Sequence, residues 1–333
     1  MPQPRMPTHE KPLVTIAIPT YNRAAKTLPA ALRSALAQTY ENVEIIVSDN
    51  CSADNTEQVV RECGPRIKYV RQTQNLGLNG NLNQCIDRAS GDYLLLLHDD
   101  DLIDADFVES CIAAVGNSTS VGFIRTGIRI IGSDGTVLSE RPNLVTESSS
   151  VADLMLAWFR NETAQYCCNM LFNTRALREI GGFQSRNNLY QDAIAQVKVA
   201  ALYGHAHVKE PKASFRRHDE NAGAPSRAGI SNWCEDSLQL VEVICSRAQD
   251  REAELRQEAM RYFCLVNYLS VGQLKSRTQR LYTYPLVARH FNFAASPIPH
   301  IYQNEVRPLL RALKRLLLPR SARRVVRGSD RTS

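Results

Sequence analysis

The chain has 333 residues, of which 44% are hydrophobic and 22% charged, and its formal net charge is +6. This composition is typical of a globular protein with one large domain and an appendage, and it excludes an intrinsically disordered chain. Because no apolar run approaches the roughly 20 residues that cross a bilayer, we expect no membrane-spanning helix.

The positive charge is concentrated near the C-terminus. Residues 305–333 contain nine Lys and Arg and two acidic residues, so the remainder of the chain is close to neutral. A basic tail suggests an anionic partner, whereas the rest does not resemble a nucleic-acid binder. The polar start, MPQPRMPTHEKP, has no apolar segment of a signal peptide, and the nine cysteines form no CxxC pair. We therefore expect a cytoplasmic protein with reduced thiols.

The first hundred residues alternate between apolar strands and amphipathic helices. The predicted strands are 13–22, 43–50, 66–72 and 92–98, and the predicted helices are 27–39, 52–63 and 80–90. Such alternation is typical of a doubly wound sheet with helices on both faces. Three strands end in polar clusters, at 19–22, 48–50 and 98–101. If the strands are parallel, these clusters meet at the carboxyl edge, where such sheets bind ligands.

Beyond about residue 120 the alternation weakens. Residues 121–140 predict a hairpin that turns at Ser133, Asp134 and Gly135. Further predicted elements are helices at 150–159, 174–180 and 190–204 and extended segments at 165–173 and 205–218. From about Ala228 the pattern is helical, with a Pro-rich break at 296–300 and a basic helix over 304–318.

The stretch YLLLLHDDDLIDADFV, Tyr93–Val108, carries an apolar strand into three consecutive aspartates. Adjacent carboxylates raise one another's pKa unless a cation lies among them. Together with Asp49 at a matching strand end, Asp99–Asp101 offer the oxygen ligands that Mg²⁺ and Mn²⁺ prefer and share with substrate phosphates. The alternative is a solvated acidic turn that caps a helix beginning near Asp104.

Five motifs, in this order, resemble the nucleotide-sugar domain of family 2 glycosyltransferases, which has the GT-A fold. They are VTIAIPTYNRAAKTLPAALRSALAQTYENVEIIVSDNCSADNT, NLGLNGNLNQCIDRASGDYLLLLHDDD, LREIGGF, YQDA and RRHDEN. The resemblance covers about residues 12–222. It implies an α/β fold with a Rossmann-like mixed sheet flanked by helices, to which this chain adds a C-terminal helical extension.

This organisation predicts four regions. They are a disordered N-terminal segment at 1–11, a GT-A domain at 12–225, a helical region at 226–318 and a basic disordered tail at 319–333.

The resemblance also implies an activity. An inverting, metal-dependent enzyme of this family would move a single sugar from a nucleotide-diphosphate donor to a hydroxyl of a glycan or lipid-linked acceptor. UDP- and dTDP-sugars are the favoured donors, and the cofactor would be Mn²⁺ or Mg²⁺. The chain has no Gln-x-x-Arg-Trp stretch, which argues against a processive polysaccharide synthase.

Carried over position by position, the resemblance assigns site residues. The nucleotide would contact Pro19, Thr20, Tyr21, Asp49, Asn75, Gly77 and Asp99; the metal would bind Asp100, Asp101 and His218; the donor sugar or acceptor would lie near Gly181, Gly182, Gln191 and Arg217. Asp192 would be the base that takes the proton of the acceptor hydroxyl.

Some of these residues have simpler explanations. Taken alone, Asp192 is also an ordinary first-turn acid of a helix, and His218 is also a structural histidine. A helix C-cap would account for one of the two glycines at 181 and 182. The sequence also departs from the family pattern, since many relatives have a carboxylate in place of His98, an arginine in place of Leu82 and a glutamate in place of Gln191.

Three other functions differ in what they require of the sequence. A sugar-phosphate nucleotidyltransferase or a dehydrogenase needs a glycine-rich loop after the first strand, and PTYNRAAKT contains no glycine. A catalytically silent nucleotide-sugar-binding or scaffold protein of the same fold stays an alternative.

The C-terminal segment also has two explanations. Residues 305–331 could make a peripheral contact with the inner face of the cytoplasmic membrane, or they could form a helix that packs on the catalytic domain. The sequence does not decide the oligomeric state, and a homodimer is one alternative.

Overall fold

The computed structural model describes residues 11–145, 150–217 and 227–311. Residues 1–10, 146–149, 218–226 and 312–333 are not described. The predictions for the N-terminal segment, for His218 and for the basic tail at 319–333 therefore lie outside the described residues.

The described residues form a single mixed sheet of nine strands. The strands are β1 (Val14–Thr20), β2 (Val43–Asp49), β3 (Ile67–Arg71), β4 (Tyr93–Leu96), β5 (Leu102–Ile103), β6 (Phe123–Ile131), β7 (Val137–Arg141), β8 (Met170–Asn173) and β9 (His205–Arg216).

The helices connect the strands and then continue alone. They are α1 (Leu28–Leu36), α2 (Thr56–Glu62), α3 (Gly77–Arg88), α4 (Phe107–Ala114), α5 (Val151–Phe159), α6 (Thr174–Glu179), α7 (Gln191–Tyr203), α8 (Arg227–Arg247), α9 (Glu252–Gly272), α10 (Arg277–His290) and α11 (Ile298–Ile301). Single turns of 3₁₀ helix lie at Cys167–Asn169 and Gln249–Arg251, and a π turn lies at Tyr302–Val306.

The strand order is β3-β2-β1-β4-β8-β6-β9-β5, and β7 pairs with β6 outside this path. Strands β1 to β4 are parallel, with β1 between β2 and β4. On the other side of β4 the sheet is mixed, because β8 is antiparallel to both β4 and β6 while β9 is parallel to β6. The predicted α/β fold with a Rossmann-like mixed sheet and a helical C-terminal extension is confirmed.

The core follows from the apolar runs of the sequence. Every residue of β1 and β4 is buried, and so is the face of α1 formed by Leu28, Ala31, Leu32 and Ala35. The side chains on one face of β1 and β4 join one cluster with Leu28, Leu32 and Ala35 of α1 and with the inner side chains of β2 and α4. Strands buried on both faces show no alternation of polar and apolar residues, which is why they were recognisable as continuous apolar runs.

Several predicted boundaries need correction. Helix α2 begins at Thr56, whose backbone N–H donates to the Asp54 carboxylate at 3.1 Å, rather than at residue 52. Helix α3 begins three residues earlier than predicted, at Gly77. The strand expected over 165–173 is shortened to Met170–Asn173, because Cys167–Asn169 form a 3₁₀ turn. The hairpin of β6 and β7 is confirmed.

The chain contains two compact units. One lies within residues 1–222 and 239–258 and contains the sheet, and the other lies within 223–238 and 259–333 and is helical where it is described. In the helical unit the buried Glu305 accepts hydrogen bonds from Arg280 at 2.5 and 3.0 Å. Within the described residues, no helix is long and apolar enough to span a membrane. The predicted domain boundaries stay a prediction.

Candidate active site

The carboxyl ends of the parallel strands bring the predicted nucleotide residues to one edge of the sheet. In the strand register Thr20 lies opposite Asp49, and Asp49 lies opposite Arg71. Pro19, Thr20 and Asp49 are buried, whereas Tyr21, which follows the strand, is 46% exposed. An exposed aromatic ring beside buried polar groups is a suitable contact for a planar ligand.

Asp49 is held in place by three neighbours. The Tyr69 hydroxyl donates to its Oδ2 at 2.6 Å, and the Ser52 backbone N–H donates to its Oδ1 at 2.9 Å. The Arg71 Nε lies 3.7 Å from Oδ2. Each carboxylate oxygen has two lone pairs, so Asp49 retains the capacity to accept a further donor such as a base N–H.

Asn50 fixes the loop that contains Asn75 and Gly77. Its amide nitrogen donates to Asn75 Oδ1 at 2.9 Å and to the Gly77 carbonyl at 3.2 Å, and its amide oxygen accepts from the Leu76 N–H at 2.8 Å. Gly77 has a φ of +72°, which favours glycine. Asn75 and Gly77 were predicted to shape this loop. The hydrogen bonds that hold it come from Asn50, which the sequence alone did not single out.

The three aspartates do not cap a helix, as the alternative explanation required. Strand β5 separates them from α4, which begins at Phe107. Asp104 instead binds Arg129, whose Nη1 lies 2.8 Å from its Oδ1. The Asp101 carboxylate accepts a hydrogen bond from the Arg216 backbone N–H at 2.9 Å, which attaches the acidic loop to the end of β9.

His98, Asp100 and Asp101 form a group that could hold a metal ion. One ligand atom from each lies within 4.8 Å of the others. The His98 Nε2 is buried and has no hydrogen-bond partner among the described residues. An unpaired imidazole nitrogen beside two carboxylates fits a divalent cation. His98 was not among the metal ligands predicted from the sequence, and the structure adds it to the candidate ligands.

The electrostatics of the acidic loop agree with this geometry. The pKa of Asp99 is raised to about 6, mainly by burial; the Thr20 hydroxyl opposes the shift, and the Asp100 charge adds to it. Burial, followed by the Asp100 charge, raises the pKa of Asp101 to about 7. Carboxyls shifted in this direction are stabilised in their charged form by a bound cation.

Asp192 lies in the first turn of α7, close to this cluster. The Cys167 Sγ lies 3.8 Å from its Oδ2. Burial raises the pKa of Asp192, and the backbone N–H of Ala193 and the charge of His98 act in the opposite direction. The helix start places a half-buried carboxylate within electrostatic reach of His98, and both Asp192 and Asp101 act on the Cys167 thiol, so the predicted base lies near the acidic loop.

The remaining predicted residues are held mainly by structural contacts. Gly182 has a φ of +74°, and a Cβ on it would lie 2.5 Å from the Asn83 Oδ1; Gly181 has a φ of +83° and ends α6. Gln191 is buried at the start of α7, with an Oε1 that has no partner among the described residues. Arg217 is exposed, and its backbone N–H donates to the Ile131 carbonyl.

Arg216, the neighbour of Arg217, is part of the scaffold. Its guanidinium donates to the carbonyls of Asp100 at 2.9 Å, Gly132 at 3.0 Å and Ser133 at 3.2 Å. Beside His98 and Asn50, the sequence analysis also missed Cys167 and Cys168, which contact two acids of the site. For His98, the only signal in the sequence that could have indicated a candidate metal ligand is its position at a strand end beside the aspartates.

The family model for glycosyl transferase family 2 matches residues 15–181, half of the chain. The chain belongs to this family, as its motifs predicted. A GalNAc(5)-diNAcBac-PP-undecaprenol beta-1,3-glucosyltransferase of Campylobacter jejuni is 30% identical over 54% of this chain and 60% of its own length. A chondroitin synthase of Escherichia coli is 31% identical over 40% of this chain and 19% of its own length.

An uncharacterised glycosyltransferase of Rickettsia felis is 32% identical over 54% of this chain and 30% of its own length. The chain thus spans less than two thirds of the curated relatives that it matches.

Two solved structures share the fold. The 1–349 fragment of S. aureus TarS, in complex with UDP-GlcNAc, has a TM-score of 0.55 and 14% identity over 84% of this chain and 91% of that chain. The mannosyltransferase PcManGT from Pyrobaculum calidifontis, in complex with GDP-Man and Mn²⁺, has a TM-score of 0.52 and 20% identity over 94% and 83%.

Proposed function

We propose that the protein is an inverting, metal-dependent glycosyltransferase that moves one sugar from a nucleotide-diphosphate donor to a hydroxyl of a glycan or lipid-linked acceptor. The observation that supports this proposal is the electrostatic interaction of Asp192 with His98, a member of the group with Asp100 and Asp101 that could hold a metal. A carboxylate near a cation-binding group is what a direct displacement at a sugar carbon requires.

Asp192 is the proposed base. Its carboxylate takes the proton of the acceptor hydroxyl as that oxygen attacks the anomeric carbon from the face opposite the leaving diphosphate, so the configuration inverts. Its raised pKa makes it a better proton acceptor than an exposed aspartate. Gln191, beside it, contributes no second carboxylate, which leaves Asp192 as the base on this turn.

Asp100, Asp101 and His98 would hold the metal, Mn²⁺ or Mg²⁺, which when bound neutralises charge on the leaving nucleoside diphosphate. His218, also predicted as a ligand, lies outside the described residues. Support for a metal comes from the raised pKa of Asp101 and the unpaired His98 nitrogen. The neighbour PcManGT was solved with Mn²⁺.

The nucleotide would lie along the strand ends, with Tyr21 beside the base, Asp49 on its imide N–H and Asp99 near the ribose. The Asp49 carboxylate, as an acceptor of a hydrogen bond from the base's imide N–H, suits UDP and dTDP better than GDP. Pro19, Thr20, Asn75 and Gly77 would line this part of the cleft. We also propose that Gly181, Gly182 and Arg217 lie near the donor sugar or the acceptor, as the resemblance predicts.

A lipid-linked acceptor is proposed because one relative is named for an undecaprenol-linked substrate. The predicted contact with the inner face of the cytoplasmic membrane through 305–331 lies largely outside the described residues. Its described part supports the proposal, since Leu309 and Leu310 are 43% and 51% exposed next to Arg307 and Arg311. The cytoplasmic location and a homodimer stay predictions.

A thermal-shift screen of nucleoside diphosphates, with and without Mn²⁺, tests the proposal. We expect UDP or dTDP to stabilise the protein only when the metal is present, and Asp100→Ala to abolish that shift. Asp104→Asn is the control, because Asp104 binds Arg129 rather than the cluster. A shift that survives Asp100→Ala would contradict the site. Incubation with donor sugars then separates an enzyme, which releases or transfers sugar, from a silent binding protein.

A further inference from the structure

Two consecutive cysteines occupy the 3₁₀ turn that precedes β8, and each contacts a different acid of the site. Cys167 and Cys168 are 8% and 0% exposed. The Cys167 Sγ lies 3.8 Å from Asp192 Oδ2, and the buried Cys168 thiol interacts electrostatically with Asp101. Burial disfavours the charged thiolate, so both cysteines act as donors rather than as additional negative charges.

The turn itself is rigidly held. The side chain of Asn169, which is fully buried, accepts from the Tyr166 backbone N–H at 3.1 Å and donates to the Thr126 carbonyl at 2.8 Å. The Tyr166 ring stacks on Phe215 of β9 with 4.3 Å between centroids. Anchored on β6 and β9, the turn presents its two thiols at fixed positions.

Resting on the proposed function, we propose that the Cys167–Cys168 turn is a positioning element for the reaction. Cys167 orients the carboxylate of the base Asp192, and Cys168 orients Asp101 in the metal-binding group. The turn thereby connects the acidic loop after β4 with the start of α7. Ligands that are held in orientation by a second layer of hydrogen bonds bind metal more tightly.

A thiol suits the contact with a base. It is a weak donor, so it restricts the rotation of the carboxylate while leaving most of its proton affinity intact. A stronger donor would stabilise the ionised carboxylate and weaken it as a base. The other groups that face Asp192 are His98, Arg125 and the backbone N–H of Ala193.

The first test compares Cys167→Ala, Cys167→Ser and wild type. Loss of the donor in Cys167→Ala is expected to lower kcat about five- to tenfold, the effect of one hydrogen bond of ordinary strength, because a thiol is a weak donor; the KM for the sugar donor should be unchanged. The acidic limb of the pH profile should move to higher pH, because the thiol lowers the pKa of Asp192. Cys167→Ser restores a donor and should recover part of kcat; because a hydroxyl is a stronger donor than a thiol, it should also move the acidic limb to lower pH than in wild type.

The second test measures Mn²⁺ binding by titration in the presence of UDP, without any turnover. Cys168→Ala is expected to weaken Mn²⁺ about tenfold, while Cys167→Ala leaves it unchanged. Cys111→Ala is the matched control, since Cys111 is a fully buried cysteine in the core face of α4. It should alter neither kcat nor Mn²⁺ affinity.

The outcomes separate this proposal from the proposed function. A Cys167→Ala enzyme with wild-type kcat, or a Cys111→Ala enzyme that loses as much, would overturn the role of Cys167. Unchanged Mn²⁺ affinity in Cys168→Ala would overturn the role of Cys168. If wild type transfers no sugar from any donor, the proposed function fails, and the Mn²⁺ titration still decides whether Cys168 positions the metal group.

Discussion

Asp192 is the residue on which the proposed chemistry depends most. Removing its charge in Asp192→Asn takes away the proton acceptor while preserving the shape of the side chain. We expect kcat to fall by about 10²- to 10⁴-fold, the usual contribution of a general base. The metal-dependent thermal shift with UDP should persist, because Asp192 is not among the proposed metal ligands. Substantial turnover by this variant would exclude Asp192 as the base.

The pH dependence of the reaction follows from the same residue. Burial raises the pKa of Asp192 above the ordinary value for aspartate, about 3.9, and a protonated carboxyl cannot accept a proton. Activity should therefore be complete at higher pH and decline as the pH falls through the raised pKa. A profile of kcat/KM against pH measures this limb; a limb at the ordinary pKa of aspartate would contradict the buried environment of the base.

His98 should influence which metal the site prefers. Imidazole nitrogen is a better ligand for transition metals than for Mg²⁺, whereas carboxylate oxygens suit Mg²⁺ and Mn²⁺ alike. We expect His98→Asp to shift preference from Mn²⁺ toward Mg²⁺. The ratio of the two metal affinities, from thermal shifts with UDP, measures this effect. An unchanged ratio would indicate that His98 does not bind the ion.

At the scale of elements, the connection between α6 and α7 packs against α3 through Gly182. The Asn83 amide donates to the Phe183 carbonyl at 3.0 Å and its oxygen accepts from the Phe183 N–H at 2.8 Å. A Cβ on Gly182 would lie 2.5 Å from that oxygen, whereas the nearest atom to a Cβ on Gly181 is 3.5 Å away. Both glycines have positive φ, so the two sites share backbone strain but differ in available space.

Gly181→Ala should cost about 1 kcal/mol of unfolding free energy from backbone strain alone. Gly182→Ala should cost more, about 2–4 kcal/mol, because the clash with Asn83 adds to the same strain. Urea denaturation of both variants measures the difference. Equal losses of unfolding free energy would show that the Asn83 side chain moves away at little cost and that packing does not require a glycine at position 182.

At the scale of the whole molecule, the basic C-terminal region is the proposed membrane contact. Truncation before Glu305 would be a poor test, since Glu305 is buried and pairs with Arg280 within the helical unit. The full chain carrying Leu309→Asp and Leu310→Asp keeps that pair. We expect its flotation with anionic vesicles to fall about tenfold or more, because two exposed leucines next to cations are replaced by acids.

Val137→Asp with Leu138→Asp is the matched control for flotation. These residues are 55% and 58% exposed on β7 and lie far from the basic tail in sequence. The control should float as wild type does. Equal flotation of wild type and the Leu309/Leu310 variant would rule out the contact and favour a helix that packs on the protein.

Much of the catalytic half was predictable because its signals are local. A strand buried on both faces is a continuous apolar run, and the polar residues that follow it mark the carboxyl edge of a parallel sheet. Asp49 and Asp99–Asp101 follow two such runs, and Asp192 opens a helix in a recognisable motif. The sequence by itself therefore determined the fold class, the family, the acidic edge and the candidate base.

Tertiary structure decided what surrounds these acids. The order β4-β8-β6-β9-β5 joins strands that are distant in sequence, and the turn at Cys167–Asn169 replaces a predicted strand because Asn169 bonds to β6. Arg216 reaches Asp101 across 115 residues, and Cys167 reaches Asp192 across 25. Such contacts have no local pattern in the sequence, because they join side chains that come together only when the sheet and helices have packed.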